Sequence, residues 1–324
     1  FPSVIRQIDP YSITEFLLNG FVYEPHTGFE NILKVLPGHY IEINFSNNVL
    51  TTKNKCYWMP TVSSNTIYNE QLLFKSIEEQ LISDVPVGLF FSGGVDSSII
   101  LGTLRDKIDA FVLKSSEGEY FESGMSSDYM YATKISDLLN VNLNEIQIAD
   151  NQELSGDELL NYIQILSTVT EEPVADFTFI ASQVLSKATR ERGYKVILSG
   201  MGADEIFAGY SRYRMVRYKS IYQKVKWIIN VFLSKTKFFS KKVERFNSFL
   251  NETDFIFSYT QLIGVFSLKE VRKMLIVPPN LKIYHEKLTS ILNEYKSCSK
   301  MKQSMLLDRY GFLSHNFLVA DKSS

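Results

Sequence analysis

A chain of 324 residues is long enough for two modest domains, or for one large domain with a partial second. Its 45% hydrophobic and 22% charged residues are ordinary globular usage, which excludes wholesale disorder, and a formal net charge of -2 supplies no basic field for nucleic acid. Cys56 and Cys298 exclude a disulfide framework and have no CxxC or Cys/His metal spacing, so a reducing, cytoplasmic setting is expected. The longest apolar stretches, such as 227–233, fall far short of the roughly 20 residues of a bilayer span. Phe1 stands without a methionine and no basic-then-apolar order of a secretory signal follows, so the chain is expected to be a piece of something longer.

Residues 1–60 hold short segments broken by Asn19-Gly20, Pro25 and Pro37-Gly38, and residues 39–45 alternate as a half-buried strand does. Sheet and turn are expected there, with a linker from Pro60 through Ser63-Ser64-Asn65-Thr66. From Asn69 the period lengthens: Leu73, Ile77 and Leu81 predict an amphipathic helix. Residues 85–91 then form a continuous apolar run, as in a strand buried on both faces of a parallel sheet. Helix over 95–107, strand over 110–113, helix over 129–139, strand over 145–148 and helix over 157–166 follow. Asp176 is placed to cap a helix running to Arg192, and 195–198 is one more strand. This order predicts an α/β fold, a mostly parallel twisted sheet with helices on both faces, binding ligands outside the carboxyl ends of its strands.

Two Ser-Gly motifs fall at such ends. In Ser92-Gly93-Gly94-Val95-Asp96-Ser97 the glycines let backbone N–H groups close on an anion, and the next helix adds its own unpaired N–H groups. Ser92 and Ser97 bring hydroxyls, and Asp96 can accept a magnesium ion. The spacing is neither GxxxxGKS nor GxGxxG. By spacing alone, a small-residue turn with Asp96 or Ser97 as a helix cap stands beside the phosphate loop as an equal reading.

The loop resembles the SGGxDS element of the ATP-pyrophosphatase family, whose members cleave ATP between its α and β phosphates. Ser199-Gly200-Met201-Gly202-Ala203-Asp204-Glu205, followed by Phe207, Gly209 and Tyr210, resembles the SGxGxDE and GY element of asparagine synthetases. Residues 82–88, Asp128 with Ala132 and Lys134, and Glu172-Pro173 with Asp176 are similar to further segments of that family. Residues 1–60, with 36–40 and Tyr57-Trp58, resemble the tail of its amino-terminal glutaminase domain, which leaves 61–324 as the ATP-binding domain. Asp308, Leu313, Leu318 and 321–324 resemble the start of its DRxSM or DKxSM element. The resemblance implies a chain truncated at both ends, without the amino-terminal cysteine nucleophile and the later phosphate-contacting lysine.

What it implies is a carbon–nitrogen ligase that uses ATP and magnesium to adenylate a carboxylate, aspartate first, and passes ammonia to it, from glutamine in the whole protein. It implies Phe90, Ser92, Gly93, Gly94, Asp96, Ser97, Leu113, Ser199 and Gly200 as the ATP and pyrophosphate site. Asp96 and Asp204 become the metal ligands, and Asp96, Asp204 and Glu205 the catalytic carboxylates. Its partners are small molecules, with neither nucleic acid nor membrane, and a homodimer stays open. Two departures bear on this: Met201 stands where the family places an acidic residue, and Tyr129 where an acid follows the aspartate. A thioether takes no proton from an ammonium, so Met201 puts the acceptor in question. The rivals are a ligase of the same fold that amidates a sugar, peptide or β-amino acid carboxylate, and a nucleotide-binding module without catalysis.

Elsewhere plain structural roles are expected. His26, His39, His285 and His315 lack ligand spacing, and Glu171-Glu172 reads as a solvated helix end or an acid–base pair. Residues 211–246 carry eleven Lys or Arg against the single acid Glu244, expected as the wet face of helices above Tyr222, Trp227, Ile228 and Phe232.

Overall fold

The structure, a computed structural model, describes residues 7–60, 69–114, 125–147, 156–170, 172, 173, 175, 178–233, 240–276 and 280–323. The expected linker at 63–66, Glu171 and the Asp176 cap lie outside them. Contacts divide the chain into two compact units, one of residues 1–63, 172–175 and 204–317, the other of 64–171, 176–203 and 318–324.

The second unit is the α/β unit. After α2 (Glu70–Glu78), capped by the Asn69 side chain, come β3 (Val87–Phe90), α3 (Val95–Leu104), β4 (Asp109–Lys114), α4 (Met125–Leu139), β5 (Leu143–Gln147), α5 (Gly156–Val169), α6 (Thr178–Glu191) and β6 (Val196–Leu198). The four strands lie in the order β5-β4-β3-β6, all parallel. Strand alternation sends side chains to opposite faces. Val87, Leu89, Ala110 and Val112 pack with Leu101 and Leu104 of α3 and Ala132 of α4, while Phe111, Leu113 and Ile146 pack with Ala181, Val184 and Leu185 of α6. Helices therefore cover both faces, as the buried apolar runs predict.

The first unit opens with α1 (Pro10–Asn19), a helix where sheet and turn were expected. Its signals are local: Asp9 accepts from the N–H groups of Tyr11 and Ser12, Pro10 sits in the first turn, and Gly20 closes the helix at φ 83°. β1 (His39–Ser46) and β2 (Val49–Cys56) form an antiparallel hairpin. Its apolar face, Ile41, Ile43 and Phe45, stays 45–71% exposed rather than half-buried. The remaining elements are helical: α7 (Ala203–Phe207), α8 (Ser211–Arg217), α9 (Lys219–Leu233), α10 (Ser240–Asn251), α11 (Phe255–Ile263), α12 (Leu268–Met274), α13 (Leu281–Ile291), α14 (Lys300–Asp308) and α15 (Ser314–Ser323), whose residues from Leu318 on belong to the second unit.

Leu18, Phe21 and Tyr23 share one core with Phe249, Tyr259, Leu288, Leu306 and Leu307. Local composition marks a polar break at residue 60, and residues before it are buried against helices that come much later in the chain. Tyr222 packs beneath the basic stretch as expected, whereas the side chains of Trp227, Ile228 and Phe232 lie outside the described set.

Candidate functional site

β3 and β6 are neighbours, and from β3 the chain builds outward through β4 and β5 before returning to the other side for β6. Strand order thus reverses between β3 and β6, where a doubly wound sheet opens its ligand crevice. Both Ser-Gly motifs follow these two strands.

The first loop is built tightly. Phe91, 2% exposed, anchors the strand end by donating its N–H to the Phe111 carbonyl at 2.8 Å. Gly93 turns at φ 71°, and a Cβ there would lie 2.3 Å from the Ala132 backbone nitrogen of α4. Gly94 is the N-cap of α3 and offers no side chain, so the helix's first N–H groups have no side-chain acceptor at the cap. Ser97, 4% exposed, donates to the Gly94 carbonyl at 3.2 Å and stands 3.3 Å from the Ser92 hydroxyl, which accepts from the Gly94 N–H at 3.3 Å. Ser98 also donates to the Gly94 carbonyl, at 2.7 Å. The hydroxyls thus brace the loop against the start of α3, where unpaired helix N–H groups ordinarily receive anions.

The second loop closes on the first. A Cβ on Gly200 would lie 3.0 Å from the Ser97 nitrogen and 3.1 Å from the Asp96 Cβ, so only glycine allows this approach without displacing α3. Ser199 is exposed, and its hydroxyl accepts from the Met201 N–H at 3.4 Å; Met201 is 40% exposed. Phe90 and Leu113 lie together on the α6 face, with Leu113 8% exposed. On α4, burial alone shifts the Asp128 carboxyl upward.

Asp204 and Glu205 belong to the helical unit. A Cβ on Gly209 would lie 1.8 Å from Asp204 Oδ1, so the bare glycine leaves that carboxylate its space. Burial shifts Asp204 toward its acid form, and the charge of Arg212 opposes this. Glu205, expected among the catalytic carboxylates, is 1% exposed and accepts from the Tyr210 hydroxyl at 2.9 Å, and burial again raises its carboxyl above the ordinary range. Its carboxylate is committed to the interior.

Arg212, counted in the sequence with the wet basic face, is instead paired at 2.8 Å with Asp308, itself 0% exposed. No local signal could have joined two residues so far apart. Glu172 pairs with Lys34 at 2.6 Å, which ties this residue of the suspected acid–base pair into an ion pair. A cleft of about 690 Å³ in the helical unit, lined by Arg217, Lys219, Lys300, Phe249 and Phe255 among others, carries none of the motif residues. No helix among the described residues is long and apolar enough to cross a membrane.

For magnesium, each unit carries one candidate donor, the carboxylate of Asp96 in the sheet unit and that of Asp204 in the helical unit, oxygens of the hard kind this ion takes. Among the described residues no group of three or more His, Cys, Asp or Glu could hold a metal ion. Magnesium is ordinarily held by one or two carboxylates with substrate phosphates completing the shell, so a single such carboxylate is a fitting donor.

The chain is 26% identical to glutamine-hydrolysing asparagine synthetase 1 of Bacillus subtilis over 215 residues, 64% of this chain and 32% of that protein. It is 25% identical to the amidase chyE of Penicillium rubens over 214 residues, 59% of this chain and 30% of that protein. A probable asparagine synthetase of Schizosaccharomyces pombe is 27% identical over 238 residues, 64% of this chain and 42% of its own. The match thus spans less than half the length of these relatives. A solved U34-tRNA thiolase from Methanococcus maripaludis covers 76% of this chain and 78% of its own at 14% identity and a TM-score of 0.31, too loose to bear on the site. The Asparagine synthase family model matches residues 69–324, and the chain belongs to that family.

Proposed function

We propose that this chain carries the adenylating centre of an ATP-dependent amidoligase, with aspartate as the first candidate acceptor and asparagine, AMP and pyrophosphate as products. The observation that carries the reading is the packing of Gly200 onto Asp96 and Ser97, which joins two Ser-Gly loops at the point where strand order reverses. Phosphate would sit against the N–H groups of 93–97, braced by Ser92 and Ser97, with Ser199 and Gly200 beside it and Phe90 and Leu113 toward the base.

A carboxylate oxygen of the acceptor forms a bond to the α-phosphorus as the bond to the β-phosphate bridge breaks, and pyrophosphate leaves with that electron pair. Ammonia then forms a C–N bond at the acyl carbon, AMP leaves, and the nitrogen gives up its proton to the surroundings. The chain's part is to orient both partners and to place N–H groups where charge collects. By the family resemblance, Asp96 and Asp204 would be the magnesium ligands, and the ion would neutralise phosphate charge. Glu205 supports the Asp204 corner rather than meeting substrate, because its carboxylate is buried on Tyr210. In the whole protein we place glutamine as the nitrogen source, with the 39–58 hairpin region as the end of a glutaminase domain.

Pyrophosphate exchange into ATP by the full-length protein tests this: exchange that depends on aspartate is the expected result. Exchange with another carboxylate alone moves the acceptor to a second class, which Met201 favours, since it brings a thioether where a carboxylate would steer an amine. ATP binding without exchange for any acid would sink the ligase reading altogether.

A further inference from the structure

α7 has five residues, too few to persist as a helix on its own. It nevertheless carries Asp204, and what pins it lies behind it. Ala208, a non-glycine residue at φ 59°, reverses the chain, and Gly209 donates its N–H to the Asp204 carbonyl at 3.1 Å. Tyr210 then reaches back to Glu205, and its ring lies 3.7 Å from the guanidinium of Arg212. The Phe312 ring approaches the same guanidinium at 4.8 Å. Arg212 Nε donates to Asp308 at 2.8 Å, Tyr213 donates to the same oxygen at 2.7 Å, and Arg309 Nε donates to the Glu205 carbonyl at 3.3 Å.

We propose that Arg212 is a positioning residue for the divalent cation that accompanies the nucleotide: stacked on Tyr210 and tied to Asp308, it holds the 204–210 corner in the form that presents Asp204. The inference rests on Asp204 being a cation ligand. It depends on the planar, forked guanidinium, because a lysine ammonium keeps the charge but loses both the stack and the rigid fork.

The test is Mn²⁺ binding to the full-length protein with ATP, followed by electron paramagnetic resonance, in wild type, Arg212→Lys, Tyr210→Phe and the control Asp254→Ala. Asp254 lies in the same unit and its loss lowers stability without touching the corner. Arg212→Lys is expected to weaken Mn²⁺ binding about tenfold and Tyr210→Phe about threefold, with the control unchanged. If Arg212→Lys does not fold, Tyr210→Phe decides. Wild-type affinity in both corner variants, or an equal loss in the control, overturns the inference alone. A wild-type protein that binds no Mn²⁺ with ATP overturns the cation reading and this inference together.

Discussion

Two adjacent glycines in the phosphate loop have unequal burdens. Gly93 combines a left-handed φ of 71° with backbone of α4 2.3 Å from where a Cβ would stand, while a Cβ on Gly94 would meet only the Ser92 hydroxyl, at 3.3 Å. Gly93→Ala must therefore strain its own backbone and push α4 away, and it should lower the melting temperature by about 5 °C or more and cut acid-dependent pyrophosphate exchange at least about a hundredfold. Gly94→Ala should melt within about 2 °C of wild type, because a serine side chain can move aside. Calorimetry and exchange on both variants check the contrast; equal behaviour would mean that the loop is not seated on α4. Of these residues the motif itself was legible in sequence. That Gly93 faces α4 and Gly200 faces α3 was not, since a short motif states which residues are small but not what they meet.

α11 is held at its start by Asp254, which accepts from the Phe257 N–H at 3.0 Å and from His285 Nε2 at 2.9 Å. Burial alone would raise its carboxyl, but these donors outweigh it and hold it below the ordinary 3.8. A depressed folded-state value means stability that is present above the unfolded value and lost as pH falls through the folded one. Asp254→Ala should lower unfolding free energy by about 1 kcal/mol at neutral pH, as loss of an N-cap does. The deficit should shrink below about pH 4, where wild type loses the same contribution. Denaturant unfolding at several pH values reads this directly, and a deficit that does not change with pH would deny the carboxylate its role. Elements of the sheet unit were legible because β3 and β4 are buried on two faces and read, like the half-buried β6, as unbroken apolar runs. α1 was missed although Asp9, Pro10 and Gly20 mark both its ends: the nearby Asn19-Gly20, Pro25 and Pro37-Gly38 breaks look like hairpin turns when no helix period is sought between them.

The first unit is sewn from both ends of its sequence. Glu15 and Lys287 form an ion pair at 2.9 Å with side chains only 5% and 8% exposed, joining α1 to α13. Leu18, Phe21 and Tyr23 are 0%, 3% and 0% exposed in the same core. Each such side chain contributes about 1.5–3 kcal/mol on burial, so losing three removes much of a typical total of about 5–15 kcal/mol. A chain begun at residue 61 should therefore show no cooperative melt of the helical unit in calorimetry, whereas the full chain should show one. Lys287→Met should cost about 3–5 kcal/mol by leaving Glu15 buried without its partner. The parallel pairing of Val87 with Val196 has a kinetic meaning of its own. β3 can meet β4 early, but its other edge must wait for a strand made much later, and long-range parallel pairing is slow. The phosphate loop is thus finished by the last strand to dock, and refolding should regain nucleotide binding only after most of the helical signal has already returned.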